Sequence, residues 1–381
     1  MSAQASPKLL WSATVVGGAL ALASYAVFGP ARFWANYLVW FLFLFTLALG
    51  ALFLVALEHL VAARWSVPLR RIPERLASML VPLTAVALVA LGALPVLYPG
   101  TRPEAAKDPV LAGKAAWLGV PFFSARVAIC LALGILAAGV LVRGSLRQDR
   151  SRDPRYNVRA RRFAPVAMAI FALVVTQAAF DWIGGLEPGW YSDVIGVYLF
   201  AATFLAALAG TVLALLYLQG QGRLRGIRFD HMYSLGGWLF AFTVFWAYIA
   251  FAQYLLMWYG NLPDEVMWYQ ARSGPGWLAV TLLLALTRFF IPFFALVPRD
   301  AKGDPRRLRW VALVVLASHW IDLYWLVFPA LGRTPVCSWP ELGFALFFLG
   351  GALLWLRSAM ERGEDMPVGD PFLKEGLEFR L

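Results

Sequence analysis

The sequence predicts an all-α polytopic membrane protein: ten transmembrane helices, forming two four-helix bundles and two peripheral helices. Three observations carry this expectation. Of 381 residues, 61% are hydrophobic and only 14% charged, against about 25% charged in soluble domains. Apolar runs of roughly 20 residues, the length that crosses the hydrocarbon core of a bilayer, recur ten times. Lys and Arg collect in alternate connections between those runs, as the positive-inside rule requires. This composition excludes an ordinary soluble enzyme, a disordered chain and a disulfide scaffold. The net charge of +11 would suggest nucleic acid in a soluble protein. Here it is a topology signal, and no nucleic-acid partner is expected.

The spans are read at 9–28, 36–61, 78–98, 121–142, 163–183, 194–218, 232–256, 275–297, 308–331 and 338–357. The first is too long and too weakly basic at its start for a cleaved signal peptide. Interfacial aromatics mark several ends: Trp34 and Tyr37, Trp190 and Tyr191, Trp258 and Tyr259. With the N-terminus inside, 25 of the 33 Lys and Arg lie in or beside inward-facing segments and six face outward. Eight arginines between Arg143 and Arg162 dominate this bias and suit contact with anionic lipid. Both termini are therefore expected in the cytoplasm, at a bacterial inner membrane. The longest connections, 99–120, 143–162 and 257–274, hold about 20 residues each, and the polar tail from 358 is expected at the membrane surface. Organisation follows as 1–35 (peripheral helix), 36–193 (first bundle), 194–331 (second bundle) and 332–381 (last helix and tail).

Charges within a bilayer cost several kcal/mol and mark function by default. Glu58 and His59 end the second span, Arg126 lies in the fourth, and Gln177 and Asp181 end the fifth. Arg288 lies in the eighth span, and Ser318, His319, Asp322 and Tyr324 in the ninth. At about 1.5 Å per residue, Arg288 sits roughly 20 Å from the outer surface, His319 roughly 18 Å and Asp322 roughly 14 Å. These three can share one layer, and pairing Arg288 with Asp322 would reduce the burial cost of each. His319 and Asp322, at i and i+3, share a helix face. Asp181 lies near the outer surface, at a level Arg126 can reach. The plainer readings make His59 an interfacial residue, Asp181 a cap before Gly184 and Gly185, and Arg288–Asp322 a structural salt bridge.

Spans 2–5 and 6–9 look like a parallel repeat. The third member of each set holds the buried Arg beside two Phe (Phe122 and Phe123, Phe289 and Phe290). The fourth holds a polar i, i+4 pair ending in Asp (Gln177 and Asp181, Ser318 and Asp322). Three histidines, His59, His231 and His319, cannot supply the four axial ligands of a two-haem cytochrome b. Two cysteines, Cys130 and Cys337, cannot by themselves hold an iron–sulfur cluster. No Walker motif, dinucleotide fingerprint or zinc spacing occurs.

Three strings carry a family resemblance: Phe180 to Ser192 (FDWIGGLEPGWYS), Phe240 to Tyr254 (FAFTVFWAYIAFAQY) and Ser318 to Trp325 (SHWIDLYW). The chain resembles the ActF-type membrane subunits of alternative complex III, in the NrfD/PsrC-like family, over spans 2–10. The resemblance implies two four-helix bundles with two extra helices. It implies partner subunits bearing haem c and iron–sulfur clusters, an ActC-like paralogue holding the better-supported quinol pocket, and membrane lipids around the complex. It also implies a place in quinol oxidation and proton translocation. No cofactor is assigned to this chain itself; quinol or menaquinol is the one ligand the resemblance leaves open.

On that basis Glu58 and His59 are expected to gather protons. His319, Asp322 and Tyr324 would relay them beside Arg288, which sets their proton affinity through its charge, and Asp181 would release them. Two other classes stay open. A structural subunit would anchor partner chains, with the aromatic outer loops 184–193 and 257–274 suited to docking. A stand-alone transporter would need interrupted spans, for which only Pro121 and Pro292 offer breaks.

Overall fold

A computed structural model describes residues 6–332 and 334–381. Among them, ten helices are long and apolar enough to cross a membrane: α1 (Pro7–Phe28), α2 (Pro30–Leu60), α3 (Arg71–Leu97), α4 (Val120–Ser151), α5 (Arg155–Leu186), α6 (Ile195–Gly220), α7 (Phe229–Gly260), α8 (Trp277–Leu296), α9 (Pro305–Leu331) and α10 (Trp339–Glu361). The protein is an all-α polytopic membrane protein, as its composition predicts. The span boundaries differ from the apolar runs chiefly at α2, α3, α4 and α5, each of which continues for about two turns into arginine- or aromatic-rich sequence. Hydropathy sees only the apolar centre of such a helix, whereas backbone hydrogen bonding continues wherever Arg stems can lie along the interface.

α2 and α6 form the spine. Each is apolar on every face, the pattern of a helix surrounded by others, and from Ala35 to Ala56 every residue of α2 is buried. The two cross closely at Gly50, where a Cβ would stand 2.4 Å from the Thr203 carbonyl oxygen. Small residues permit this approach within membranes. Around α2, helices α3, α4 and α5 close one four-helix bundle; around α6, helices α7, α8 and α9 close the other. A ladder of rings ties the two together: Phe171 to Phe53 at 4.5 Å, Phe53 to Phe204 at 4.8 Å and Phe204 to Phe242 at 4.4 Å between centroids. Offset and edge-on aromatic pairs of this kind add to their burial energy.

α1 and α10 pack along each other and against α2, outside both bundles. Gly29, at φ +81°, makes the one-residue turn from α1 into α2. Arg32 at the start of α2 grips Glu341 of α10 through two nitrogens at 2.7 and 3.0 Å, and Asn36 donates to the same carboxylate at 2.9 Å. This buried fork fixes the peripheral pair.

Two spans contain a π-helical turn: Ala179–Ile183 in α5 and Leu286–Phe290 in α8. Such turns occur frequently at functional sites because they re-aim one side chain. Here they contain Asp181 and Arg288 respectively.

The polar tail is pinned across the helix ends by ion pairs. On the arginine-rich face of the molecule it runs as a strap across the helix ends. Asp365 pairs with Arg75 at 3.0 Å and with Arg223; Asp370 pairs with Arg70 at 2.6 Å; Glu375 pairs with Arg64. The Gly376 carbonyl accepts from His231 Nε2 at 2.8 Å. Burial favours the neutral form of Asp365, but Arg223 and Arg75 outweigh it and hold the carboxyl below its ordinary value. The strap joins the first bundle to the second through side chains that lie far apart in sequence.

Candidate functional site

The second bundle holds a buried polar network at its centre. The π-helical turn of α8 presents Arg288 to α9 and α6. Arg288 Nε lies 3.6 Å from Asp322 Oδ2, and Nη2 donates to the Ala202 carbonyl at 3.3 Å and to His319 Nδ1 at 3.2 Å. A guanidinium has no acceptor, so His319 Nδ1 must accept and its proton sits on Nε2. That nitrogen donates to Thr46 Oγ1 at 2.8 Å, and the Thr46 hydroxyl in turn donates to the Leu42 carbonyl at 2.7 Å. His319 thereby links the second bundle to α2 of the first. Tyr198 of α6 donates its hydroxyl to Asp322 Oδ1 at 2.5 Å. The Trp246 ring of α7 lies 5.0 Å from the Arg288 guanidinium carbon, within cation–π range.

Arg288, His319 and Asp322 are 0% exposed. Even so, Arg288 Nε and Nη1 and Asp322 Oδ2 have no hydrogen-bond partner among the described residues. Unpartnered charged atoms in a low-dielectric interior are costly. This site holds three within one ion pair.

The first bundle repeats the arrangement and completes it. Arg126 of α4 meets Asp181 on the π-helical turn of α5, with Nε at 3.1 Å from Oδ2 and Nη2 at 2.7 Å from Oδ1. Nη1 donates to the Trp117 carbonyl at 2.8 Å. The Trp117 and Phe122 rings stack on the guanidinium at 4.1 and 4.6 Å. A bidentate fork with every nitrogen engaged is the strong form of such a pair. The repeat of a buried Arg on the third helix and a partner Asp on the fourth is thus present in three dimensions. The flanking phenylalanines do not repeat: Phe289 stacks on Phe290 and Phe293, and Trp246 of another helix covers Arg288.

Glu58 and His59 lie buried beneath the strap. Glu58 is 3.5 Å from Arg70, whose other nitrogen holds Asp370, and Asn157 donates to that same Asp370 at 3.0 Å. His59 Nε2 is buried without a hydrogen-bond partner among the described residues. A cavity of about 50 Å³ links Glu58 to Thr211 of α6. From Glu58 to Thr46 is twelve residues along α2, roughly 18 Å, so the two clusters are not in contact.

Tyr324 does not join Asp322. Its hydroxyl donates to the Val336 carbonyl and accepts from the Val336 amide, both at 2.9 Å. The reason is helical geometry: two residues on, a side chain points about 200° around the axis. Tyr198 takes the place expected for it. The sequence marks Tyr198 only as an aromatic near a span end, and Thr46 only as a lone hydroxyl in an apolar run. Neither pattern announces a partner on another helix.

Arg272 is the other unanticipated element. Its position in an outer connection reads as a solvated charge, yet it is 2% exposed, on the short helix Pro263–Ser273. It donates to the carbonyls of Trp268, Trp325 and Leu326 at 2.9, 3.2 and 3.0 Å. It also lies 3.5 Å from Glu187 and stacks on Trp268 at 3.5 Å. Burial pushes its pKa down to about 10 against the attraction of Glu187, and Tyr269 and Tyr198 also act on its charge. Burial likewise raises the Tyr269 hydroxyl. Trp190 stacks on Trp268 at 4.5 Å and Trp268 meets Tyr269 edge-on at 4.9 Å, so half of the aromatics of loops 184–193 and 257–274 pack on one another. Tyr191, Trp258 and Tyr259 stay exposed.

Among the described residues no group of three or more His, Cys, Asp or Glu is placed to hold a metal ion. No protein-family model matches the chain, and no curated protein matches it.

Proposed function

We propose that this chain conducts protons across a bacterial inner membrane as the ActF-type subunit of a quinol-oxidising respiratory complex. Both termini face the cytoplasm, and quinol, haem c and iron–sulfur chemistry reside in partner chains, including an ActC-like paralogue. The sequence strings described above support the family reading, and the charge bias supports the orientation. The observation that carries the proton reading is the under-partnered Arg288–Asp322 pair. It joins a carboxylate, an imidazole and a phenol in one buried layer, and intramembrane ionisable clusters of this kind mark proton relays.

On this reading Glu58 and His59 take protons up beneath the strap. The buried hydroxyls of Thr211 and Thr203 on α6 lead inward. Asp322 accepts the proton while Arg288 stabilises its charged form, and His319 shares the load through its neutral ring. Tyr198 then leads outward toward Tyr269, Arg272 and Glu187. Several of these steps exceed direct hydrogen-bond reach and need bridging water. Glu187 replaces Asp181 as the outer group, because Asp181 is held by Arg126 in the other bundle.

The test is the proton-to-electron ratio of the assembled complex carrying Asp322→Asn. The reading expects electron transfer to continue while translocated protons are lost. An unchanged ratio in an intact complex refutes it. A scaffold role is the rival, favoured by the saturated Arg126–Asp181 fork, and that result would establish it.

A further inference from the structure

We infer that the arginine-rich face carries a defined binding site for the phosphate headgroup of an anionic phospholipid, set between α3, α4 and α10. A cavity of about 620 Å³ opens there. Toward the middle of the helices its lining is apolar: Val142 and Leu146 of α4, and Trp355 of α10, whose indole N–H donates to Ser78 of α3 at 3.1 Å. Its rim is cationic: Arg150 and Arg152 end α4, and Arg362 ends α10. The cavity therefore changes from apolar to positive along the direction in which a phospholipid changes from acyl chain to phosphate.

The charges at this rim are available for a ligand. Asp149 and Glu74 are occupied by Arg71, and Asp149 also accepts from the Gly369 amide at 3.0 Å. Arg75 holds Asp365. Among the described residues Arg150, Arg152 and Arg362 have no ion-pair partner, and Glu364 is the one acid on the rim outside a pair, so a positive excess remains. A second observation points the same way. Arg71 and Arg75 line the cavity at 1% and 5% exposed, and the Nε of each has no hydrogen-bond partner among the described residues. Arg152 sits in the left-handed region at φ 53° and closes α4 by donating its amide to the Gln148 carbonyl at 2.7 Å. Its side chain is thus placed on the rim by a fixed backbone turn rather than by a floppy segment. Basic pockets between helices at a membrane surface recognise phosphate-bearing headgroups in this manner.

The experiment titrates the detergent-purified protein, with whatever chains accompany it, with cardiolipin, phosphatidylcholine or inorganic phosphate, and follows the thermal unfolding midpoint. Cardiolipin should raise the midpoint saturably and phosphatidylcholine should not. Arg150→Gln/Arg152→Gln/Arg362→Gln should raise the half-saturating concentration on the order of a hundredfold, as expected for three lost cations near an anionic headgroup. Arg155→Gln/Arg159→Gln/Arg162→Gln removes the same charge away from the cavity and should leave it nearly unchanged. An equal shift in both sets overturns the site in favour of diffuse attraction. Phosphate matching cardiolipin at equal concentration overturns the lipid assignment. Native mass spectrometry of the unsubstituted protein gives a separate reading: cardiolipin retained over phosphatidylcholine supports the site, and equal retention overturns it.

Discussion

The two bundles hold the same pair of residues on corresponding helices and use them differently. In the first, Arg126 and Asp181 meet as a bidentate fork between aromatic rings, with every guanidinium nitrogen engaged. In the second, Arg288 and Asp322 stand 3.6 Å apart, deeper in the molecule, and share their remaining capacity with His319 and Tyr198. A closed pair fixes helix positions and has nothing left to exchange. An open pair spends stability to keep protonatable groups in one layer. The contrast teaches that a buried charge in a membrane helix is informative only together with the count of its satisfied atoms.

That contrast can be broken by substitution. The largest effect is expected at Arg126→Ala, which removes the fork and its ring contacts and leaves Asp181 buried and alone. Loss of one partner of a buried pair costs roughly 3–5 kcal/mol, to be read as a fall in the thermal unfolding midpoint of the purified protein. Its electron-to-proton coupling should be unaffected in whatever fraction assembles. Asp322→Asn keeps an acceptor for Tyr198 but strands Arg288 as a buried cation without a counter-charge, so a cost near the lower end of the same range, roughly 3 kcal/mol, is expected. The two variants part in function: translocated protons should be lost at Asp322→Asn only, and translocation retained there would dissolve the distinction between closed and open pairs.

Tyr198→Phe removes one hydrogen bond to a charged acceptor, about 1.5–3 kcal/mol, and should slow proton transfer without abolishing assembly. Unchanged transfer in this variant would remove Tyr198 from the outward path. The smallest effect is expected at Tyr324→Phe. It deletes neutral hydrogen bonds to the Val336 backbone, worth about 1 kcal/mol, and should leave proton transfer untouched. A transfer defect there would restore Tyr324 to the relay and overturn the placement of Tyr198.

Much of the fold was legible in the order of residues. Apolar runs located all ten spans, because a helix crossing a bilayer must be apolar over a fixed length. The spacing of Arg126, Asp181, Arg288 and Asp322 along the two sets of helices announced the repeat. Depth counting placed Arg288, His319 and Asp322 in one layer, and they do meet. What stayed illegible depends on rotation about helix axes and on contacts between distant segments. Tyr324 lay on the wrong side of its helix for the role expected of it. Arg272, placed in a connection by its hydropathy, folds back under Trp268 and Trp325.

The sequence by itself determined the class, the number of spans, the side on which positive charge accumulates and the identity of the charges held within the bilayer. These follow from local hydrophobicity and one-dimensional spacing. The tertiary structure alone decided which charges are satisfied, which helix supplies Thr46 and Tyr198, and where the tail lands. Those outcomes depend on how helices rotate and cross when α2 and α6 pack at Gly50, and on π-helical turns that re-aim Asp181 and Arg288. No pattern of apolar residues encodes that geometry before the bundles close.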